Sequence, residues 1–156
     1  MKNLRLIVAA TIFVAAVLFA LLTYAPSQAP GQKCGVYRND KTVTINSVRI
    51  KAEVAQSPTE REQGLSNRPC IEANQGMLFV FDKLGRYSFW MKDMRFAIDI
   101  VWIGPDGKVV HLESNIQPES FPETFTNKGK PAQYVLELQA GQAGVLGVEL
   151  GTSVIF

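Results

Sequence analysis

The sequence predicts a mainly β body of α+β class, a closed or half-closed barrel-like sheet with antiparallel or mixed strands and two short helices, behind one N-terminal transmembrane helix. Three observations lead there. Residues 6–25 form a run without a single charge; the chain beyond residue 40 breaks into about seven or eight short segments of alternating polarity between turn residues; and helix signals are confined to two short stretches. The organisation that follows is a membrane anchor or signal segment over 1–25, a linker over 26–40 and one globular domain over 41–156.

The run "LIVAATIFVAAVLFALLTYA" would make a helix of roughly 30 Å at about 1.5 Å per residue, the thickness of a bilayer core. Lys2 and Arg5 precede it, which favours an N-terminus inside and a body outside, although Lys33, Arg38 and Lys41 lie downstream. The run exceeds the roughly 7 to 15 residues of a signal h-region. Both small-residue sites, "TYA" before Pro26 and "SQA" before Pro30, put proline after the cut, where its fixed φ hinders an extended substrate. An uncleaved single-pass anchor in the cytoplasmic membrane is therefore expected, with a secreted or periplasmic product of cleavage as the alternative. "PSQAPGQKCG" then reads as a linker.

Within the body, "TVTINSVRIKAEVA" supplies two strands with Asn46 and Ser47 at a turn, and Ile50, Ala52 and Val54 on one face. In "SPTEREQG", Ser57 is the N-cap, Pro58 fits the first turn, Glu60 completes a capping box and Gly64 ends the helix in a left-handed conformation. "GMLFVF" and "YSFWMK" are strands around "DKLGR", and "AIDIVWI", "GPDG" and "KVVHLESN" form a hairpin. Residues 117–131 carry three prolines and no period, an unstructured connection of a length that tends to be functional or mobile. "QYVLELQA" is a strand, "GQAGVLGV" a short helix and "GTSVIF" a closing strand.

Without Lys2 and Arg5 the chain holds 14 basic and 14 acidic residues and no basic block, which argues against nucleic acid as a partner. Cys34 and Cys70 are the only cysteines. In an oxidising compartment they would close a loop of about 37 residues, worth roughly 3 to 4 kcal/mol in the chain-entropy model. Two unrelated thiols, Cys70 packed as a small hydrophobe and Cys34 free, is the plainer alternative. Their spacing matches neither a CxxC motif nor a zinc pattern, so no metal or cofactor is expected.

The stretch "SFWMKDMRFAIDIVWIG" carries the candidate site. A period of two sends Phe89 and Met91 to one face and Trp90 and Lys92 to the other; it groups Phe96, Ile98, Ile100 and Trp102, and leaves Asp99 with Ala97, Val101 and Ile103. A carboxylate so placed needs a cation or backbone donors, and Arg68 and Lys92 are the candidates. The pair is structural, or sits at the mouth of a pocket walled by Trp90 and the 117–131 loop, or lies on the surface without a role. His111, the only histidine, reads as a satisfied strand residue, and Phe121 and Phe125 either cover a pocket or pack back on the core. No HExxH, GxSxG or phosphate-binding loop occurs.

"GLSNR" (64–68), "GMLFVF" (76–81), "FWMKDMRFAID" (89–99), "IVWIGPDGKVV" (100–110) and "YVLELQAG" (134–141) stand in an order and spacing that resemble the prokaryotic family known as domain of unknown function 192. Matching positions are Gly64, Leu65, Arg68, Gly76, Met77, Phe79, Phe81, Phe89, Trp90, Met91, Lys92 and Asp99; Ser66, Met94 and Ala97 depart from the family's Met, Thr and Pro. The resemblance implies a small mixed β domain, often exported or membrane tethered, with no established activity. It marks Arg68, Trp90, Lys92 and Asp99 as the cluster to inspect. The expectation is a non-catalytic extracytoplasmic domain, tethered through 6–25, that uses these four residues to bind a small polar ligand or an envelope partner. The alternatives are an envelope hydrolase or transferase using Asp99 with Lys92 or Arg68, and a structural accessory of a membrane complex.

Overall fold

A computed structural model describes residues 34–156 of the chain. The anchor expected over 6–25 and the first part of the expected linker lie outside the described residues. Among the described residues no helix is long and apolar enough to cross a membrane.

The elements in chain order are β1 (Lys41–Ile45), β2 (Val48–Ala55), α1 (Pro58–Gln63), β3 (Gln75–Gly85), β4 (Ser88–Trp90), β5 (Ile98–Ile103), β6 (Val109–Ile116), a 3₁₀ turn (Pro118–Ser120), β7 (Thr124–Thr126), β8 (Ala132–Gln139), α2 (Gln142–Val145) and β9 (Val154–Ile155). Seven strands form one sheet in the order β6-β5-β8-β3-β2-β1-β9, and β4 pairs with β7 in a separate ribbon. All neighbours in the large sheet run antiparallel except β2 and β3. The crossover between those two parallel strands carries α1.

The sheet curls into a half-barrel. β9 pairs with β1 on one side. On its other side the segment before it meets the β5–β6 turn, through Lys108 opposite Ser153 and hydrogen bonds from Val109 N–H to Thr152 O and from Val154 N–H to Gly107 O. Two ends of the sheet are thereby stitched at one corner. The inner face holds Val43, Ile50, Leu78, Val101, Leu136 and Leu138, and α2 closes it with Ala143 and Leu146. The outer face holds a second cluster of Met77, Phe79, Ile98, Ile100, Trp102 and Val135, covered by Leu65, Ile71, Met91 and the β4–β7 ribbon. All six residues of β5 are buried, because its two faces belong to two cores.

The local chemistry behaves as the residue types dictate. Asn46 and Ser47 make the tight β1–β2 turn with φ of 46° and 69°, conformations that a right-twisted two-residue hairpin requires. Ser57 and Glu60 form the reciprocal capping box, with Pro58 in the first turn. Gly64 ends α1 at φ 47° and ψ −133°, a positive φ but not the left-handed helical cap expected, and an added Cβ would stand 3.4 Å from the Phe79 ring. Gly76 is required by close approach: a Cβ there would lie 2.8 Å from the Glu137 carbonyl of β8.

Two expectations change. β3 continues through Lys83 and Leu84 to Gly85, with an irregularity after Val80, and β4 pairs with β7. The connection over 117–131, expected to lack structure, contains the 3₁₀ turn, β7 and the buried Asn127. Asn127 Oδ1 accepts from Tyr87 N–H while its amide donates to Gly85 O and Lys130 O, so one side chain supplies the hydrogen bonds that period-2 patterning would otherwise provide. Phe125 packs on the outer core and Phe121 stays exposed.

Cys34 and Cys70 are bonded to each other. The bridge holds residues 34–40 against β2 and β3. There the Tyr37 hydroxyl donates to Gly76 O and accepts from Glu53 N–H and Gly76 N–H, and Arg38 N–H donates to Glu53 Oε1 at 2.9 Å. The last residues of the expected linker therefore belong to the sheet in hydrogen-bond terms. With its ends 36 positions apart in sequence, the bridge constrains the unfolded chain. Its reduction, or the pair Cys34→Ser and Cys70→Ser, is expected to lower stability by about 3–4 kcal/mol in urea titrations, and alkylation under native non-reducing conditions should add no label.

Candidate functional site

The site grows from one row of residues across the outer face. Directly opposed pairs place Glu53 beside Met77, Met77 beside Glu137, Glu137 beside Ile100, and Ile100 beside Glu113. Opposed residues in neighbouring strands point the same way, so three carboxyl groups share a face that is otherwise apolar. Each meets a different fate.

Glu53 is buried and receives both nitrogens of Arg68, at 2.8 and 2.6 Å, together with the Arg38 N–H. Burial works against its charged form, but the Arg68 fork and the Arg38 amide outweigh it, and the carboxyl titrates below its ordinary value. Arg68, held by Glu53, is shifted upward in turn and lies 5.9 Å from the Tyr37 ring centre. Glu113, nearer the edge, is met by His111 at 2.9 Å and Lys128 at 3.2 Å, and His111 also packs on Trp102.

Glu137 has neither. Its side chain is only 5 % exposed, and its Oε2 has no hydrogen-bond partner. Burial pushes the carboxyl up to about 8, opposed only by the charge of Arg68, which is already committed to Glu53. It reaches a cleft of about 270 Å³ between α1 with the turn after it and the aromatic side of β3 and β4. Phe81, Tyr87, Phe89 and Trp90 wall that cleft, Arg61 and Glu62 stand at α1, and Glu137 is its deepest acid. The walls are braced from behind. Phe81 stacks on Tyr87 with centroids 3.5 Å apart, Phe89 meets Phe79 and Trp102 edge-on, and Trp102 Nε1–H donates to Tyr87 O at 2.9 Å. Arg61 lies 5.1 Å from the Phe81 ring centre and donates to Val80 O and Gln56 O.

Asp99 lies on the opposite face, beside Leu138 and in the inner core, fully buried. Neither Arg68 nor Lys92 neutralises it. Its Oδ1 accepts from Asn115 N–H at 2.8 Å and its Oδ2 from Ala143 N–H at 2.9 Å. Both donors are products of irregularity. β6 bulges here, since Ile116 and Glu113 oppose Ile98 and Ile100 and leave Ser114 and Asn115 against Asp99, and Asn115 takes a φ of 55°. Ala143 N–H is a free amide of the first turn of α2, whose N-cap Gly141 has no side chain to serve it. Asp99 thus caps α2 from a distant strand. The expected need for compensation stands, and amides rather than cations meet it.

Of the four expected site residues, Trp90 is half exposed at the wall of the cleft, and Lys92 is exposed beside it in a shallow hollow with Thr59, Ser66 and Asp93. Arg68 lies under the same helix, bonded to Glu53, and Asp99 belongs elsewhere. Glu53 is not singled out by the sequence reading and Glu137 enters it only as an acid that folding could gather with Asp99, although each shows the signal that marks Asp99: one acid inside an apolar strand, "KAEVA" and "VLELQ".

A family model described as DUF192, Uncharacterized ACR, matches residues 41–156. Among solved structures, a protein from Sinorhizobium meliloti 1021 described as a "putative transcription regulator" is 34 % identical, with a TM-score of 0.65 over 69 % of this chain and 81 % of that one. A protein of unknown function from Novosphingobium aromaticivorans DSM 12444 is 24 % identical, with a TM-score of 0.70 over 85 % of this chain and 99 % of that one, a likeness of fold. No curated protein matches the chain.

Asp99→Ala strands two buried amides and is expected to cost about 2–4 kcal/mol in denaturant titration, with Asp99→Asn, which keeps an acceptor, costing less. Glu137 sets a separate slope. Its folded value near 8 lies above the ordinary 4.5, so between them the folded chain holds a proton that the unfolded chain releases, and stability falls as pH rises by at most roughly 1.4 kcal/mol per unit. Glu53, shifted the other way, contributes above the ordinary carboxylate range and loses its contribution in acid. Glu137→Gln should therefore be more stable than wild type at about pH 8 and lack the slope between about pH 5 and pH 8. An unchanged slope would argue that the carboxyl is solvated.

Proposed function

This chain belongs to the DUF192 family, and we propose that it is a non-catalytic binding domain whose aromatic-walled cleft receives a small polar ligand with an apolar face. One observation carries the reading: Glu137 lines an open cleft, and its buried Oε2 has no hydrogen-bond partner among the described residues. A buried acceptor left unpaired costs about 1–3 kcal/mol, an expense that a fold seldom bears without use. A ligand donor placed there would recover it, while Trp90 and Phe89 would cover the ligand's apolar side.

Acid–base catalysis through Asp99 finds less support, because both of its oxygens accept amide hydrogens in the inner core, away from every cleft residue. DNA binding in the manner of a recognition helix finds none in the geometry, since the longest helix among the described residues has six residues. We further propose that the body works outside the cytoplasm, tethered through residues 6–25. The sequence of that segment supports this, as does the Cys34–Cys70 bridge, which is at home in an oxidising compartment.

Trp90, 47 % exposed, is a built-in reporter. Fragments that enter the cleft should shift or quench its fluorescence in the full chain, raise the unfolding temperature, and lose at least tenfold in affinity in Trp90→Ala, a change of about 1.4 kcal/mol or more. Fragments that stabilise the chain without touching Trp90 emission would place binding elsewhere.

A further inference from the structure

Resting on the reading of this cleft as a ligand site, we propose that its ligand is a small organic amine, with the ammonium group seated on the Glu137 carboxyl and the apolar stem along Phe89 and Trp90. The chemistry of the lining selects the class. An anion would face Glu62 at the mouth of the cleft, and Arg68, the cation whose charge acts on Glu137, already has both of its outer nitrogens on Glu53. A cation meets an unpartnered acid surrounded by aromatic rings, whose π-systems attract positive charge within about 6 Å. The lining already shows this preference. Arg61 rests its guanidinium 5.1 Å from the Phe81 ring centre, but two backbone carbonyls hold it there and it makes no hydrogen bond to Glu137. The position at Glu137 is left for a charge that none of the described residues supplies.

The exchange is balanced in protons. At neutral pH the carboxyl, raised by its burial, carries a proton; an arriving ammonium takes that proton's place, the carboxylate forms an ion pair with it, and one proton leaves to solvent. Amine affinity consequently climbs with pH by close to tenfold per unit while the carboxyl is protonated, and levels off near pH 8. The other charged or titratable groups around Glu137 are Arg61 and Glu62 of α1, Arg68 with its partner Glu53 of β2, and Tyr87 at the head of β4; His111, with Glu113 and Lys128, lies two strands away on the same face. A His111→Gln control removes the one histidine of the sequence from the comparison.

The test is calorimetric titration of the full chain with phenethylamine, phenethyl alcohol and hydrocinnamate, in two buffers of different ionisation enthalpy. The expected result is that the amine binds at least tenfold more tightly than either analogue and releases close to one proton at pH 7. Its affinity should rise between about pH 6 and pH 8 in wild type and in His111→Gln alike. Glu137→Gln should lose amine binding at least tenfold while remaining folded and more stable at alkaline pH, which excludes unfolding as the cause. Equal binding of amine and alcohol without proton release would overturn the amine and leave the cleft as a site for neutral donors. Tighter binding of hydrocinnamate would overturn it in favour of an anion. Failure of all three to bind or to perturb Trp90 emission would remove the cleft reading along with the amine.

Discussion

Arg68 can serve only one of the two acids that the sheet presents beneath it. Glu53 and Glu137 flank Met77 in adjoining strands on one face, and the guanidinium fork commits both outer nitrogens to Glu53. A bidentate pair with an additional amide is among the few arrangements that make a buried carboxylate tolerable. The consequence for Glu137 is a buried carboxyl whose Oε2 has no donor among the described residues, and which escapes the cost of a buried charge by keeping its proton. The cleft beside it has chemical meaning because of that unequal division.

The strap over residues 34–40 belongs to the same arrangement. The disulfide brings Tyr37 and Arg38 to the edge of β2, where the phenol bridges Gly76 and Glu53 amides and the Arg38 N–H completes the coordination of Glu53. Cys70 is two residues beyond Arg68, so one covalent link positions both ends of the acid's hydrogen-bond shell. On the other face Asp99 performs the same service for the backbone, tying the β6 bulge to the first turn of α2. Asp99 and Glu53 thus divide the work. One holds the lid of the barrel in place, and the other holds the elements that frame the cleft.

Much of the architecture was legible because it rests on local rules. The Asn46–Ser47 turn, the Ser57–Glu60 capping box, the β5–β6 hairpin and the alternation that separates Asp99 from Ile98 and Ile100 each depend on a few adjacent residues. The 117–131 connection was not legible, since its order comes from one buried asparagine, Asn127, bonded to Tyr87, Gly85 and Lys130. A single polar side chain leaves no periodic trace. The pairing of β4 with β7 was hidden for the same reason.

By itself the sequence determined which residues would be costly to bury: an acid in each of three apolar strands must find compensation, since desolvation penalises charge whatever the fold. It also determined the strand faces, because side chains alternate with a period of two. Only the tertiary structure decided which partner each acid received. Arg68 lies 15 residues from Glu53 and 31 from Asp99 along the chain, and no local rule ranks the two. The sheet order ranks them, since β2 and β8 carry Glu53 and Glu137 to the face under α1 while β5 turns Asp99 toward α2. Electrostatic pairing acts over a few ångströms of space and is blind to distance in sequence, so the identity of the uncompensated acid was a property of the folded sheet alone.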